Sequence, residues 1–168
     1  MKKLILTAVA VLFATMGASA QGSKAFDKGY RGSVNAGGNI SVTKDWPNTS
    51  IEFTTSHGYN FGDGMYVGAG LGLNLEMSGY DVGIPVFFDV KYNILDWKLS
   101  PYIDCRMGVE LMTYENMKCG FMASPGMGFD YRDLSLRVGY KCLAGAVNSA
   151  RGSYFKLNII SLSAAINF

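Results

Sequence analysis

The sequence predicts an all-β chain, an eight-stranded antiparallel up-and-down transmembrane β-barrel. Three observations predict it. Apolar and polar residues alternate from Gly29 almost without interruption to Phe168, and period two is the period of a strand, whose successive side chains point to opposite faces. Turn-forming residues break the alternation at seven places and leave eight runs. The last run sets Ile160, Leu162, Ala164, Ile166 and Phe168 on one face, a continuous apolar row ending on an aromatic.

Residues 1–20 are expected to lie outside the fold. Lys2 and Lys3 precede an apolar run from Leu4 to Phe13, and Gly17-Ala18-Ser19-Ala20 ends it in small residues. This is the pattern of a secretory signal cut before Gln21, and the run is too short to cross an apolar layer about 30 Å thick as a helix. Gln21 to Lys28 then forms a short polar lead, and 29–168 the barrel. Without Lys2 and Lys3 the 15 basic residues become 13, equal to the 13 acidic ones. A neutral chain offers no electrostatic case for a nucleic-acid partner. Charged residues make up 17% of the sequence, against about 25% in soluble domains. No stretch after residue 20 has eighteen consecutive apolar residues, so helical spans are excluded. Cys105, Cys119 and Cys142 form no C-x-x-C pair, and an odd count leaves at least one free thiol; all three are read as reduced.

The first strand is predicted over about Gly29 to Thr43, with Tyr30, Val34, Ala36, Ile40 and Val42 on one face and Arg31, Ser33, Asn35 and Asn39 on the other. Lys44 to Asn48 is a turn-rich break. The second, Thr49 to Phe61, opposes Ile51, Phe53, His57 and Tyr59 to Glu52, Thr54, Ser56 and Asn60. Gly62-Asp63-Gly64 is a tight turn. The third, Met65 to Met77, sets Val67, Leu71, Leu73 and Leu75 against Tyr66, Gly68, Gly70 and Gly72. The fourth, Val82 to Ile94, sets Ile84, Val86, Phe88 and Val90 against Asp89, Lys91 and Asn93, with Phe87 as an exception on the polar side. After Asp96-Trp97-Lys98, the fifth runs from Leu99 to Met112 and opposes Ile103, Met107 and Val109 to Asp104, Arg106 and Glu110. The sixth, Cys119 to Tyr131, opposes Phe121, Met127 and Phe129 to Met122, Ser124 and Asp130. Arg132-Asp133 turns the chain into the seventh, Leu134 to Leu143, with Leu136, Val138 and Tyr140 against Arg137 and Lys141. Ala144 to Ser153 is expected to be the longest loop, and Tyr154 to Phe168 the closing strand. Pro85 and Pro125 fall inside strands, which suggests bulges.

Alternation alone does not say which face points outward. A soluble barrel buries its apolar face, and a membrane barrel does the reverse. Two features favour the reverse, and the terminal apolar row is a third. The polar face is rich in glycine, which suits a lumen with little room. Its charges also balance: Arg31, Lys91, Arg106, Arg137 and Lys141 against Glu52, Asp89, Asp104, Glu110 and Asp130. Buried charges persist when paired, so these ten are the candidate lumen network. Pairing around the Asp96 turn sets Lys91 beside Asp104, and Asp89 beside Arg106. Aromatics fall into two girdles, with Tyr59, Phe61, Tyr92, Trp97, Phe129, Tyr131 and Phe168 near the tight turns and Trp46, Tyr80 and Tyr114 at the longer loops.

On these residues the chain resembles the small eight-stranded outer-membrane barrels of OmpA/OmpX type, within the porin-like barrel superfamily. The resemblance implies the outer membrane of a Gram-negative bacterium and contact with its lipid. It also implies insertion by the barrel-assembly machinery, with Ile160, Leu162, Ala164, Ile166 and Phe168 as the signal. No periplasmic wall-binding domain is expected beside the barrel, and so no OmpA-like tethering role is expected. The expected function is structural or interactive, as a monomer without cofactor or metal. A narrow porin-like channel is the alternative, and a membrane-embedded lipid-modifying enzyme a third reading. His57 is the single histidine; its neighbours two residues away are Thr55 and Tyr59 rather than the serine used by some lipid A deacylase barrels, so no catalytic residue is assigned.

Overall fold

A computed structural model of the chain describes residues 24–43, 49–77, 82–113, 118–148 and 153–168. The expected signal segment lies outside these residues, as do Trp46, Tyr80 and Tyr114. Eight strands follow in order: β1 (Gly29–Ser41), β2 (Thr49–Asn60), β3 (Met65–Glu76), β4 (Val82–Asn93), β5 (Leu99–Met112), β6 (Lys118–Tyr131), β7 (Leu134–Asn148) and β8 (Ser153–Asn167). Each pairs antiparallel with the next, and β8 pairs with β1, so the sheet is a closed barrel with no free edge. Ala36 stands opposite Ala164 at the closing seam, and the backbones of Gly32 and Phe168 exchange hydrogen bonds of 2.8 and 2.9 Å.

The barrel is inside out relative to a soluble one. Phe88 is 69% exposed, Leu162 63% and Leu71 58%, whereas Asp130 is 0% exposed and Glu110 1%. The faces follow the alternation strand by strand: the even positions of β2, β3, β5 and β6 and the odd positions of β1, β4, β7 and β8 turn mostly inward, β4 at Phe87, Asp89, Lys91 and Asn93. Phe87 shares the inward parity of Asp89, Lys91 and Asn93, and so is buried although it is apolar. Its ring has room because its cross-strand neighbours are Gly70 and Gly108. Gly128 does the same for Tyr102: a Cβ there would strike the Leu136 carbonyl and the Tyr102 ring. At Gly70 and Gly128 an inward glycine thus marks where an aromatic ring crosses the lumen.

The tight turns also follow from local chemistry. Gly62 and Gly64 take φ of 88° and 87°, which residues with a Cβ adopt at a cost. Arg132 adopts φ 54° in the two-residue link between β6 and β7, and its guanidinium lies over the Tyr131 ring. Ahead of β1, a 3₁₀ turn at Lys24–Phe26 tucks against the tight-turn mouth. Ala25 is buried there and its carbonyl accepts from Asn60 Nδ2 at 2.8 Å.

Two expectations are corrected. Pro85 and Pro125 cause no bulge. Each keeps its place opposite Glu110 and Cys105, while on its other side the ladder lapses for two positions and resumes in the same register. A proline lacks one N–H and so deletes one ladder bond without inserting a residue. The register shift lies instead at Ala146/Asn148, between β7 and β8. There β7 runs five residues beyond Leu143, into the segment expected as loop. Ala144 and Gly145 carry no alternation to read, but they find partners in Lys156 and Phe155 across the hairpin.

Candidate functional site

The lumen gathers the buried charged side chains, and it holds all ten charges named above. They fall into three groups, set by which strand ends the groups stand near.

Near the tight turns, Asp130 is a hub. It receives Lys91 Nζ at 2.6 Å, Arg31 Nη2 at 3.0 Å, Asn93 Nδ2 at 3.0 Å and Ser135 Oγ at 2.5 Å. Two cations thus converge on one carboxylate whose lone pairs are fully engaged. Lys91 also lies 3.8 Å from the centroid of the Tyr102 ring, a cation–π contact away from water.

In the middle, Arg137 Nε meets Asp104 Oδ2 at 2.6 Å, its Nη2 donates to the Ser124 carbonyl and hydroxyl, and its Nη1 donates to Ser161. Arg106 lies 3.6 Å from Asp89 and 3.8 Å from Asp104 through Nε, and its Nη2 donates to Asn35 Oδ1 at 3.1 Å.

Toward the loop end, Lys141 is the hub. Its Nζ stands 2.7 Å from Glu52 and 2.8 Å from Glu110. Asn39 donates to Glu52 at 3.2 Å and Asn74 to Glu110 at 2.8 Å.

Beside this group the lumen turns apolar. Phe87, Met122 and Leu143 pack together, with Met112 and Leu157 against them. The alternation alone does not predict this layer as a unit. Its signal in the sequence is the set of apolar residues on the polar parity of β4, β6 and β7. The cross-strand register between Lys91 and Asp104 is as expected, but the partner of Lys91 is different. Its ammonium goes to Asp130 on β6, while Asp104 turns to Arg137 on β7. A lumen this narrow lets a long side chain reach past its neighbour, and the pair that forms is the one with the better geometry.

On the outer face His57 is exposed and in contact with three residues. Tyr30 Oη lies 2.5 Å from Nδ1, Thr55 Oγ1 lies 2.9 Å from Nε2, and the Phe168 ring meets the imidazole edge-on. The Thr55 hydroxyl donates to the Ser33 carbonyl at 3.1 Å. A hydroxyl has one hydrogen, so in a neutral ring Nε2–H donates to Thr55 and Nδ1 accepts from Tyr30. The ring thus accepts from the Tyr30 hydroxyl on one side and donates to Thr55 on the other, a relay from Tyr30 toward the Ser33 carbonyl. Among the described residues no cluster of three or more His, Cys, Asp or Glu is placed to hold a metal ion. Cys105, Cys119 and Cys142 are unpaired.

No protein-family model matches the sequence, and no curated protein matches it. Solved structures do resemble the fold. Neisserial surface protein A is similar with a TM-score of 0.61 and 12% identity, over 82% of this chain and 95% of that one. The outer membrane enzyme PagL is similar with the same TM-score of 0.61 and 12% identity, over 80% of this chain and 98% of that one. The architecture is therefore that of the small eight-stranded outer-membrane barrels, a fold that a surface protein and an enzyme share. Fold alone does not choose between such functions.

Proposed function

We propose that this protein is a monomeric, non-enzymatic barrel of the bacterial outer membrane. Its role is structural or one of surface contact through the longer loops, and its lumen is closed rather than conducting. The observation that carries the reading is the completeness of the ion pairing. Each of the ten inward charges has an opposite charge within 3.8 Å, and the Phe87–Met122–Leu143 layer stands beside them. A conducting lumen needs a continuous wet path, and an eight-stranded barrel has just enough interior for its own side chains. The outward apolar surface supports residence in lipid. The exposed row on β8 supports delivery by the barrel-assembly machinery.

Single-channel recording of the refolded protein in planar bilayers tests the closed lumen. No conductance steps are expected, and none in Arg106→Ala or Glu110→Ala. Discrete openings in the unaltered protein would overturn the reading. Carbonate washing of membranes is expected to leave the protein in the pellet, and release into the soluble fraction would overturn the membrane assignment.

A further inference from the structure

We infer that the lumen contains a built hydration site in which water joins the tight-turn group of charges to the middle group. The inference rests on the closed-lumen reading and adds to it how the network is held together. No ion pair among the described residues links Arg31, Lys91 and Asp130 to Asp89, Asp104, Arg106 and Arg137. Between the two groups lies a cavity of about 30 Å³. Roughly 10–15 Å³ by this measure holds one water, so there is room for one or two.

Four polar atoms on residues lining that cavity make no hydrogen bond with a protein group: the donors Arg31 Nη1 and Arg106 Nε and the acceptors Asp89 Oδ1 and Asp104 Oδ1. All four residues are more than nine-tenths buried. Leaving such atoms unpaired is unfavourable. The set consists of two donors and two acceptors, and water, which accepts two hydrogen bonds and donates two, is its complement. Arg106 Nε stands 3.6 Å from Asp89 Oδ2 and 3.8 Å from Asp104 Oδ2, beyond a direct hydrogen bond, so it makes only long ion-pair contacts with one oxygen of each carboxylate while the other oxygen, Oδ1, is left for a further donor. An inorganic anion fits less well, because the two free carboxylate oxygens would face it. A metal cation fits less well, because both guanidinium groups would.

The refolded protein crystallised at atomic resolution, with one crystal soaked in bromide, tests this. The expected result is a solvent peak within about 3.2 Å of Arg106 Nε and of at least one of Asp89 Oδ1 and Asp104 Oδ1, with no anomalous bromine signal in the lumen. In Ala165→Leu, whose added side chain enters the cavity, the peak is expected to be lost. A bromine peak at the site overturns the inference in favour of an anion. Direct contact of Arg106 Nε with either aspartate, with no solvent between, overturns it in favour of a dry network. Conductance is a separate readout: channel openings would remove the closed-lumen reading while a resolved bridging water stood.

Discussion

The two ends of the lumen are built on the same plan with the charges exchanged. At the tight-turn end one carboxylate, Asp130, holds two cations, Arg31 and Lys91. Toward the loop end one ammonium, Lys141, holds two carboxylates, Glu52 and Glu110. The middle group pairs two arginines with two aspartates. The interior is neutral in sum, yet one end carries an excess positive charge and the other an excess negative one. Counting charges along the sequence gives the balance and hides this separation. In each end group one residue is a hub that both partners need, and the other two are spokes that can be spared singly.

That distinction orders the expected effects of substitution. Asp130→Asn leaves Arg31 and Lys91 buried without an anion, and Lys141→Met leaves two buried carboxylates without a cation. Each is expected to destabilise the barrel by about 3–5 kcal/mol, the range for stripping one partner from a buried pair. Urea titration in lipid vesicles, followed by the fluorescence of Trp97, measures it. Equal tolerance of both changes would break the hub description.

Among the described residues the apolar layer stands at the loop end of the lumen beside Lys141, with the Arg106 guanidinium over its Phe87 ring. Leu143→Ala is expected to cost roughly 2–5 kcal/mol, as other buried leucines do. The same titration reads it, and a loss well under that range would mean the layer is loosely packed.

The spokes sharpen the comparison. Arg31→Met leaves Lys91 with Asp130, and Glu52→Gln leaves Lys141 with Glu110, one charge against one in both cases. Each is expected to change stability by no more than about 1 kcal/mol, since isosteric loss of an excess buried charge is often neutral. A spoke as damaging as its hub would show that neither excess charge is dispensable.

The smallest effect lies at the tight-turn end, where Arg132 holds φ 54°. Arg132→Gly is expected to relieve backbone strain and raise stability by about 0.5–1 kcal/mol, seen as a higher urea midpoint. A lower midpoint would show that the contact of Arg132 with Tyr131 outweighs the strain.

The sequence by itself determined the strands, their faces and the membership of the lumen network. Each of these depends on period two, which is local: a residue's face is set by its neighbours along the chain. It also placed Lys91 opposite Asp104 and Asp89 opposite Arg106, because a short turn sets register. The tertiary structure decided the rest. Lys91 bonds Asp130, a residue 39 positions away, and Lys141 bonds Glu52, 89 positions away. The Phe87–Met122–Leu143 layer draws on β4, β6 and β7. β7 extends to Asn148 because β8 pairs with it. The physical reason is closure. Joining β8 to β1 turns the inner face of the sheet toward itself, so long side chains from strands that never pair come within reach across the axis, and no local pattern records which of them meet.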